Sequence, residues 1–177
     1  MWRLFRAVAT AAHLEIMTTG SVLDILIYVF DRYMFDAVPE VPARARLARD
    51  LERAGFAPTK VERALDWLTD LAFGHTGARA VHAEPQLTAV RVFTDSELAR
   101  LSAECRGLLL RLERARVLTT QQREIVIDRL LALDADEPDT EQLRWVVLMV
   151  LSSQPDHELA IERFASLMSE AQRNVPH

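Results

Sequence analysis

Cysteine, lysine and glycine are scarce in this chain of 177 residues. It contains one cysteine, Cys105, one lysine, Lys60, and five glycines. A single cysteine excludes an intramolecular disulfide and favours a reducing compartment. No glycine-rich motif of the kind that cradles phosphate groups is present. The composition therefore points away from disulfide-stapled domains and phosphate-loop enzymes.

Long apolar runs and an excess of positive charge are also missing. The longest apolar run, Trp145–Leu151, is about a third of the ~20 residues that cross a bilayer, so we expect a cytoplasmic protein without a membrane segment. Half of the residues are apolar and 27% are charged, as in an ordinary soluble protein. The formal net charge of −5 opposes general nucleic-acid coating, which requires a positive surface.

Helical periodicity predicts three helices in the first half of the chain. Ser21 and Asp24 form a capping box before the first, Gly55 ends the second, and Thr59 with Glu62 forms a capping box for the third. The predicted helices are Val22–Phe35, Ala43–Ala54 and Lys60–Phe73. We expect translation to start at Met17 rather than Met1, with residues 1–16 an extension outside the fold.

The segment that follows these helices changes character. Gly74 and Gly77 are expected to loosen the chain, and Arg79–Ala83 and Val90–Phe93 are each expected to form a short strand. Two strands after three helices would form a β-hairpin wing. Residues 21–93 are therefore predicted to form a helical, winged-helix-like unit.

Four further helices are predicted in the second half. Thr94 with Glu97 and Thr119 with Gln122 form capping boxes for the first two, and Asp139 or Thr140 caps the third. The predicted helices are Thr94–Arg116, Thr120–Leu133, Glu141–Ser152 and His157–Gln172. The third is almost wholly apolar and is expected at the centre of a compact four-helix unit over residues 94–173. The fold class is thus mostly α, with both units packed as one globular protein.

Seven segments, in order along the chain, carry a resemblance to a known family. They are SVLDILIYVFDRY, LERAGF, VERALDWLTDLA, RVFT, ECRGLLLRLE, REIVIDRLLAL and LRWVVLMVLSSQP. From roughly Val22 to Phe164 the chain resembles the bacterial Smg protein family. The resemblance implies a small cytoplasmic protein whose biochemical function is not established, with no catalytic residues to carry over. It also implies a gene neighbourhood that includes DNA-processing proteins, and it favours the start at Met17.

Cys105 and the histidines are the candidates for a catalytic or metal-binding role. At helical spacing Cys105 points the same way as five leucines, so we expect a small core hydrophobe with a raised pKa. Those leucines are Leu98, Leu101, Leu108, Leu109 and Leu112. The histidines have no metal-ligand spacing to one another or to acidic residues. They are His13, His75, His82, His157 and His177. We predict no catalytic, cofactor or metal site.

The opposite face of the predicted helix Thr94–Arg116 carries the candidate partner-contact residues. They are Arg100, Glu104, Gly107, Arg111 and Arg114. Glycine lowers helix stability by roughly 1 kcal/mol relative to alanine in a helix interior. We therefore expect another backbone to approach Gly107 closely. Either the arginines are a solvated face with Gly107 packed under the wing, or they form a stripe for an acidic partner or phosphate.

The leading hypothesis is a non-enzymatic interaction protein that contacts another protein through this face. The alternative is an accessory factor in DNA or RNA processing that contacts nucleic acid weakly through arginine-rich helices. The third predicted helix opposes that alternative, since two basic residues stand against three acidic ones, Glu62, Asp66 and Asp70. The sequence gives no oligomeric state.

Overall fold

The computed structural model describes residues 20–34, 43–77, 91–133, 135–154 and 158–173, with side chains except at 34, 74–77 and 170–173. The chain divides into two compact units, Met1–Leu68 and Thr69–His177. The described residues form eight α-helices. They are α1 Val22–Val29, α2 Arg44–Arg53, α3 Pro58–Gly77, α4 Asp95–Arg100, α5 Ala103–Arg114, α6 Thr120–Leu131, α7 Thr140–Ser152 and α8 Glu158–Arg173. The extension over residues 1–16 and Met17 lie outside the described part. A mostly α fold is confirmed.

Helix α1 opens the first unit with the predicted capping box. The Asp24 N–H donates to Ser21 Oγ (3.1 Å), and the Ser21 N–H donates to Asp24 Oδ2 (2.8 Å). This exchange satisfies two amides that no helical carbonyl can reach. The helix buries Ile25 and Leu26 fully and continues as a π-helical turn, Phe30–Met34.

Helix α2 ends as predicted at Gly55, which has φ +100°. The Phe56 N–H donates to the Leu51 carbonyl (3.2 Å), and the Gly55 N–H donates to the Glu52 carbonyl (3.0 Å). These two bonds define a Schellman motif, in which glycine adopts the left-handed conformation without a Cβ clash. The Phe56 ring then meets the edge of Tyr28 with centroids 5.6 Å apart.

Helix α3 differs from its prediction at both ends. The carbonyl of Ala57 accepts the amides of Lys60 and Val61, so the helix begins at Pro58 and Thr59 is not its cap. Proline suits the first helical position because its missing N–H would have no partner there. The helix also continues through Gly74 to Gly77, so the predicted loosening at these glycines is wrong over that stretch.

The predicted β-hairpin wing is not found in the described residues, which contain no strand. Arg79–Ala83 lies outside them. Of the second predicted strand, Arg91–Phe93 is described and is not a strand. Its side chains account for this: the Arg91 guanidinium pairs with Glu97 and Glu124 and lies 4.5 Å from the Phe93 ring centroid. The segment is thus held by side-chain contacts rather than by backbone pairing.

Helix α7 is the core of the second unit, as its sequence predicts. It packs against α5, α6 and α8. Its buried residues are Leu143, Val146, Val147, Leu148, Met149, Val150 and Leu151. The Asp139 carboxylate caps its first turn by accepting from the Glu141 and Gln142 amides, both at 2.8 Å. Burial of this apolar surface is the main stabilising contribution to the unit.

The predicted helix Thr94–Arg116 is two helices. It breaks at Leu101, whose ψ of 118° is extended, and Ser102 starts α5 by accepting from the Cys105 amide at 3.2 Å. The break buries Leu101 and leaves Leu98 45% exposed. The expectation that Leu98 shares the face of Cys105 is therefore wrong, because helical spacing does not carry across a cap. No helix in the described ranges is long and apolar enough to span a membrane.

Candidate functional site

Cys105 lies on α5 inside the core of the second unit. Its side chain is fully buried, and Sγ donates to the Pro138 carbonyl at 3.3 Å. Burial raises the pKa of the thiol, so the reactive thiolate is disfavoured near neutral pH. The leucines Leu101, Leu108, Leu109 and Leu112 are buried as well. The predicted core role of Cys105 is confirmed.

Potential metal ligands do not gather among the described side chains, where no group of three or more His, Cys, Asp or Glu could hold an ion. Four histidines, His13, His82, His157 and His177, lie outside the described residues, and only the backbone of His75 is described. The described part of the chain therefore offers no metal centre on which to build a site.

The carboxylates of α6 are engaged in ion pairs. Glu124 Oε1 lies 2.8 Å from Arg91 Nε and 2.7 Å from Arg123 NH2, and Arg91 also pairs with Glu97 at 2.7 Å. Arg123 is 6% exposed and pairs with Glu113 of α5. The hydrogen bond from Arg91 lowers the pKa of Glu97 to about 2. This network joins α5 and α6 to the segment that precedes α4.

Arg100 does not share a helix with the other candidate contact residues. It is the last residue of α4, and its guanidinium donates to the Ala135 carbonyl at 3.1 Å. The break at Leu101 and Ser102 separates it from α5. Arg100 therefore supports the connector before α7 instead of extending the arginine stripe.

The remaining four candidates define what we call the α5 face: Glu104, Gly107, Arg111 and Arg114. They are three or four residues apart, so they lie on one side of the helix, and all four are exposed. A Cβ built on Gly107 meets no atom within 4 Å. No described segment packs over Gly107, in contrast to the interpretation in which a wing covers it.

Arg111 and Arg114 form no ion pair with any residue that the structure describes. Glu113, which lies between them, turns toward α6, where it pairs with Arg123 and accepts from Thr120 Oγ1 at 3.0 Å. Arginines in the last turn of a helix interact favourably with its dipole, typically by 0.3–1 kcal/mol. That contribution explains their position, but among the described residues no acidic side chain neutralises their charge.

A second Schellman motif ends α5, and it contains arginine where α2 has glycine. The Arg116 N–H donates to the Glu113 carbonyl (2.9 Å), and the Val117 N–H donates to the Leu112 carbonyl (3.0 Å). Arg116 has φ +55° and is the one non-glycine residue with positive φ in the described ranges. This conformation costs an ordinary residue about 1–2 kcal/mol. The backbone here carries strain that a glycine would relieve.

Arg163 of α8 joins this end of α5. Its NH1 donates to the Arg116 carbonyl at 3.4 Å, and both side chains are exposed. Neither residue is among the contact residues that the sequence predicts. Arg116 could have been found, since it occupies the position after a helix end that usually holds glycine. Arg163 could not, because 47 residues separate it from Arg116.

The arginine-rich helix α2 is less positive than its sequence indicates. Arg44 lies 2.7 Å from Glu62 and 2.8 Å from Asp66, both on α3. Arg46 and Arg53 approach Asp50 at 4.0 and 3.8 Å. These acidic partners offset the charge that a phosphate backbone would need.

Comparison with known proteins places this chain in a family. A family model described as "Protein of unknown function (DUF494)" matches residues 22–177. A relative from Methylococcus capsulatus, named Protein Smg homolog, is 42% identical over 85% of this chain and 94% of its own length. A protein of the same name from Aeromonas hydrophila is 40% identical over 88% of this chain and all of its own length.

A third Protein Smg homolog, from Xanthomonas campestris pv. campestris, is 43% identical over 79% of this chain and 87% of its own length. No solved structure matches the chain. The resemblance in the sequence is thus confirmed by a family model over most of the chain and by relatives at about 40% identity. The chain belongs to the Smg protein family.

Proposed function

We propose that this protein is a non-enzymatic interaction protein that docks another protein on the α5 face. The observation that carries the proposal is the open space over Gly107, on an exposed face whose arginines have no described ionic partner. A glycine in a helix interior lowers helix stability, and here no described part of the fold uses the space it leaves. A partner backbone that approaches this groove would use it.

Charge supports a protein partner over nucleic acid. The chain has a net charge of −5, and the arginines of α2 are largely offset by Glu62, Asp66 and Asp50. Affinity for a duplex depends on the number of phosphates neutralised, and each contact adds to the salt dependence. The α5 face itself presents two arginines and one glutamate, which suits a local contact better than a track along a nucleic acid.

The test is capture from native cells with the tagged full-length chain, with and without nuclease. Gly107→Trp fills the open space with bulk that the described fold tolerates, and Arg111→Glu with Arg114→Glu reverses the charge of the face. Arg46→Glu with Arg49→Glu on α2 is the matched control, because it makes the same change of charge in the first unit.

We expect a protein that survives nuclease and is retained by the α2 variant but lost by both α5 variants. Circular dichroism of each variant establishes that the helices are intact. If the same proteins are captured by the wild type and by both α5 variants, the proposal is wrong. If nuclease removes them and the α2 variant fails to capture them, the nucleic-acid accessory role replaces it.

A further inference from the structure

The C-terminal end of α5 carries a group of arginines that the α5 face only partly includes. We call it the arginine cluster: Arg111, Arg114, Arg116 and Arg163. The first two lie in the last turn of the helix, Arg116 follows it, and Arg163 reaches across from α8 to the Arg116 carbonyl at 3.4 Å. All four side chains belong to the second unit and are exposed.

Helix capping does not explain why Arg116 occupies its position. The two Schellman motifs of this chain have the same pair of backbone bonds, yet one has Gly55 and the other Arg116 at the left-handed residue. Glycine would form the second motif without strain. Strain at a non-glycine residue recurs where a side chain has a binding role. The helix dipole attracts cations within the last turn, whereas Arg116 lies beyond it.

The arginine cluster is also not neutralised by ion pairs with the described residues around it. Glu113, the acidic residue within its sequence, is turned away toward Arg123 and Thr120. None of the four arginines forms an ion pair with a described residue. Like charges that lie close together repel one another, so a bound anion would stabilise the arginine cluster. Guanidinium groups match carboxylates with two parallel hydrogen bonds.

We propose that the arginine cluster binds the carboxylates of an acidic segment of the protein partner. This rests on the proposed function, since it gives the chemistry of the partner that docks on the α5 face. A peptide with a few adjacent acidic residues matches four arginines at one helix end. A duplex presents a charge every ~1.7 Å of its axis, far more than this cluster can neutralise.

Fluorescence anisotropy with defined probes tests the proposal on the full-length chain. The probe is a labelled decapeptide of alternating Glu and Asp, and its control is a decapeptide of alternating Gln and Asn. A single-stranded DNA decamer of thymidine is the nucleic-acid comparison. We expect binding of the acidic peptide alone, with an affinity that weakens as salt is raised from about 50 to 300 mM.

Arg116→Gly and Arg163→Gln separate binding from folding. We expect each to weaken acidic-peptide binding about two- to fivefold, and both together about tenfold, as for exposed ion pairs. Arg116→Gly should also raise the unfolding midpoint because it relieves the left-handed strain. Lower affinity with higher stability is the combination that a purely structural arginine would not give. Arg46→Gln on α2 is the matched control and should bind as the wild type does.

Equal binding of the acidic and neutral peptides, tighter binding of the DNA, or wild-type affinity in the double variant would each overturn the inference. Partner capture tells its failure from that of the proposed function. A partner lost with Gly107→Trp but kept with the double variant leaves docking intact and refutes the acidic segment. Acidic-peptide binding with capture unchanged by Gly107→Trp refutes docking on the α5 face instead.

Discussion

Replacing Gly107 and Gly55 by alanine should change stability in opposite directions. Both glycines belong to helix-forming segments, and a Cβ built on either meets no atom within 4 Å. They differ in backbone conformation, because Gly55 has φ +100° whereas Gly107 lies within α5. A methyl group therefore meets no clash at either position, but only at Gly107 does the backbone have a conformation that alanine adopts without strain.

The magnitudes follow from the backbone. At Gly107, alanine restricts the unfolded chain and suits the helix, which stabilises by about 0.5–1 kcal/mol. At Gly55, alanine incurs the left-handed penalty of about 1–2 kcal/mol, of which the same restriction recovers about 0.4–1 kcal/mol. The net expectation is a loss of about 0.8 kcal/mol, and at most about 1.6 kcal/mol. The two changes should move thermal midpoints by a few degrees, upward for Gly107→Ala and downward for Gly55→Ala.

Tryptophan fluorescence can follow each unit separately during guanidinium unfolding. Trp67 belongs to the first unit and Trp145 to the second, so variants that retain one of them in a Trp2→Phe background report one unit each. The expected results are a higher midpoint for Trp145 in Gly107→Ala and a lower midpoint for Trp67 in Gly55→Ala. A lower Trp145 midpoint in Gly107→Ala would refute the reasoning, because it would mean that the space over Gly107 is filled.

Three further predictions concern the second unit. Cys105 should not react with a thiol reagent at neutral pH until denaturant unfolds the protein, and rapid native labelling would contradict its burial. The lowered pKa of Glu97 stabilises the fold fully above its ordinary value of 4.5, and this contribution should be lost as pH falls toward 2. Arg91→Met should flatten that acid dependence in pH-resolved urea melts, and an unchanged slope would exclude the pair as its source. Arg123→Met should lower the free energy of unfolding by about 1–3 kcal/mol. The loss is smaller than for a fully buried pair because Glu113 is 25% exposed. A urea midpoint equal to that of the wild type would argue against a stabilising role for this network.

The first residues of the helices show how much of the fold can be predicted from local sequence. The side chains of Ser21, Thr94 and Thr119, with the residue three positions on, predict three caps, and all three are found. For α7 the sequence leaves Asp139 and Thr140 open as caps, and the structure has Asp139. Thr59 follows the same pattern but is not a cap, because Pro58 and the Ala57 carbonyl start the helix earlier. A capping box is thus reliable where no stronger local start precedes it.

The candidate site was only partly determined by sequence. Spacing placed Glu104, Gly107, Arg111 and Arg114 on one face, and the structure keeps them there. Arg100 does not lie on that face, because a new helix begins after Ser102. Periodicity alone could not show that burying Leu101 is more favourable than continuing the first helix. Arg163 belongs to the arginine cluster only through its contact with Arg116, which is 47 residues away in the sequence.

The sequence by itself determined the helical class, most of the caps, the apolar α7 and the core role of Cys105. Each of these depends on interactions within a few residues or on the hydrophobicity of a single segment. The tertiary structure alone decided that Arg91 reaches Glu124, that Glu113 turns inward to Arg123, and that the end of α5 is left positive. Those outcomes depend on which helices pack together, and that choice is made by burial summed over the whole unit.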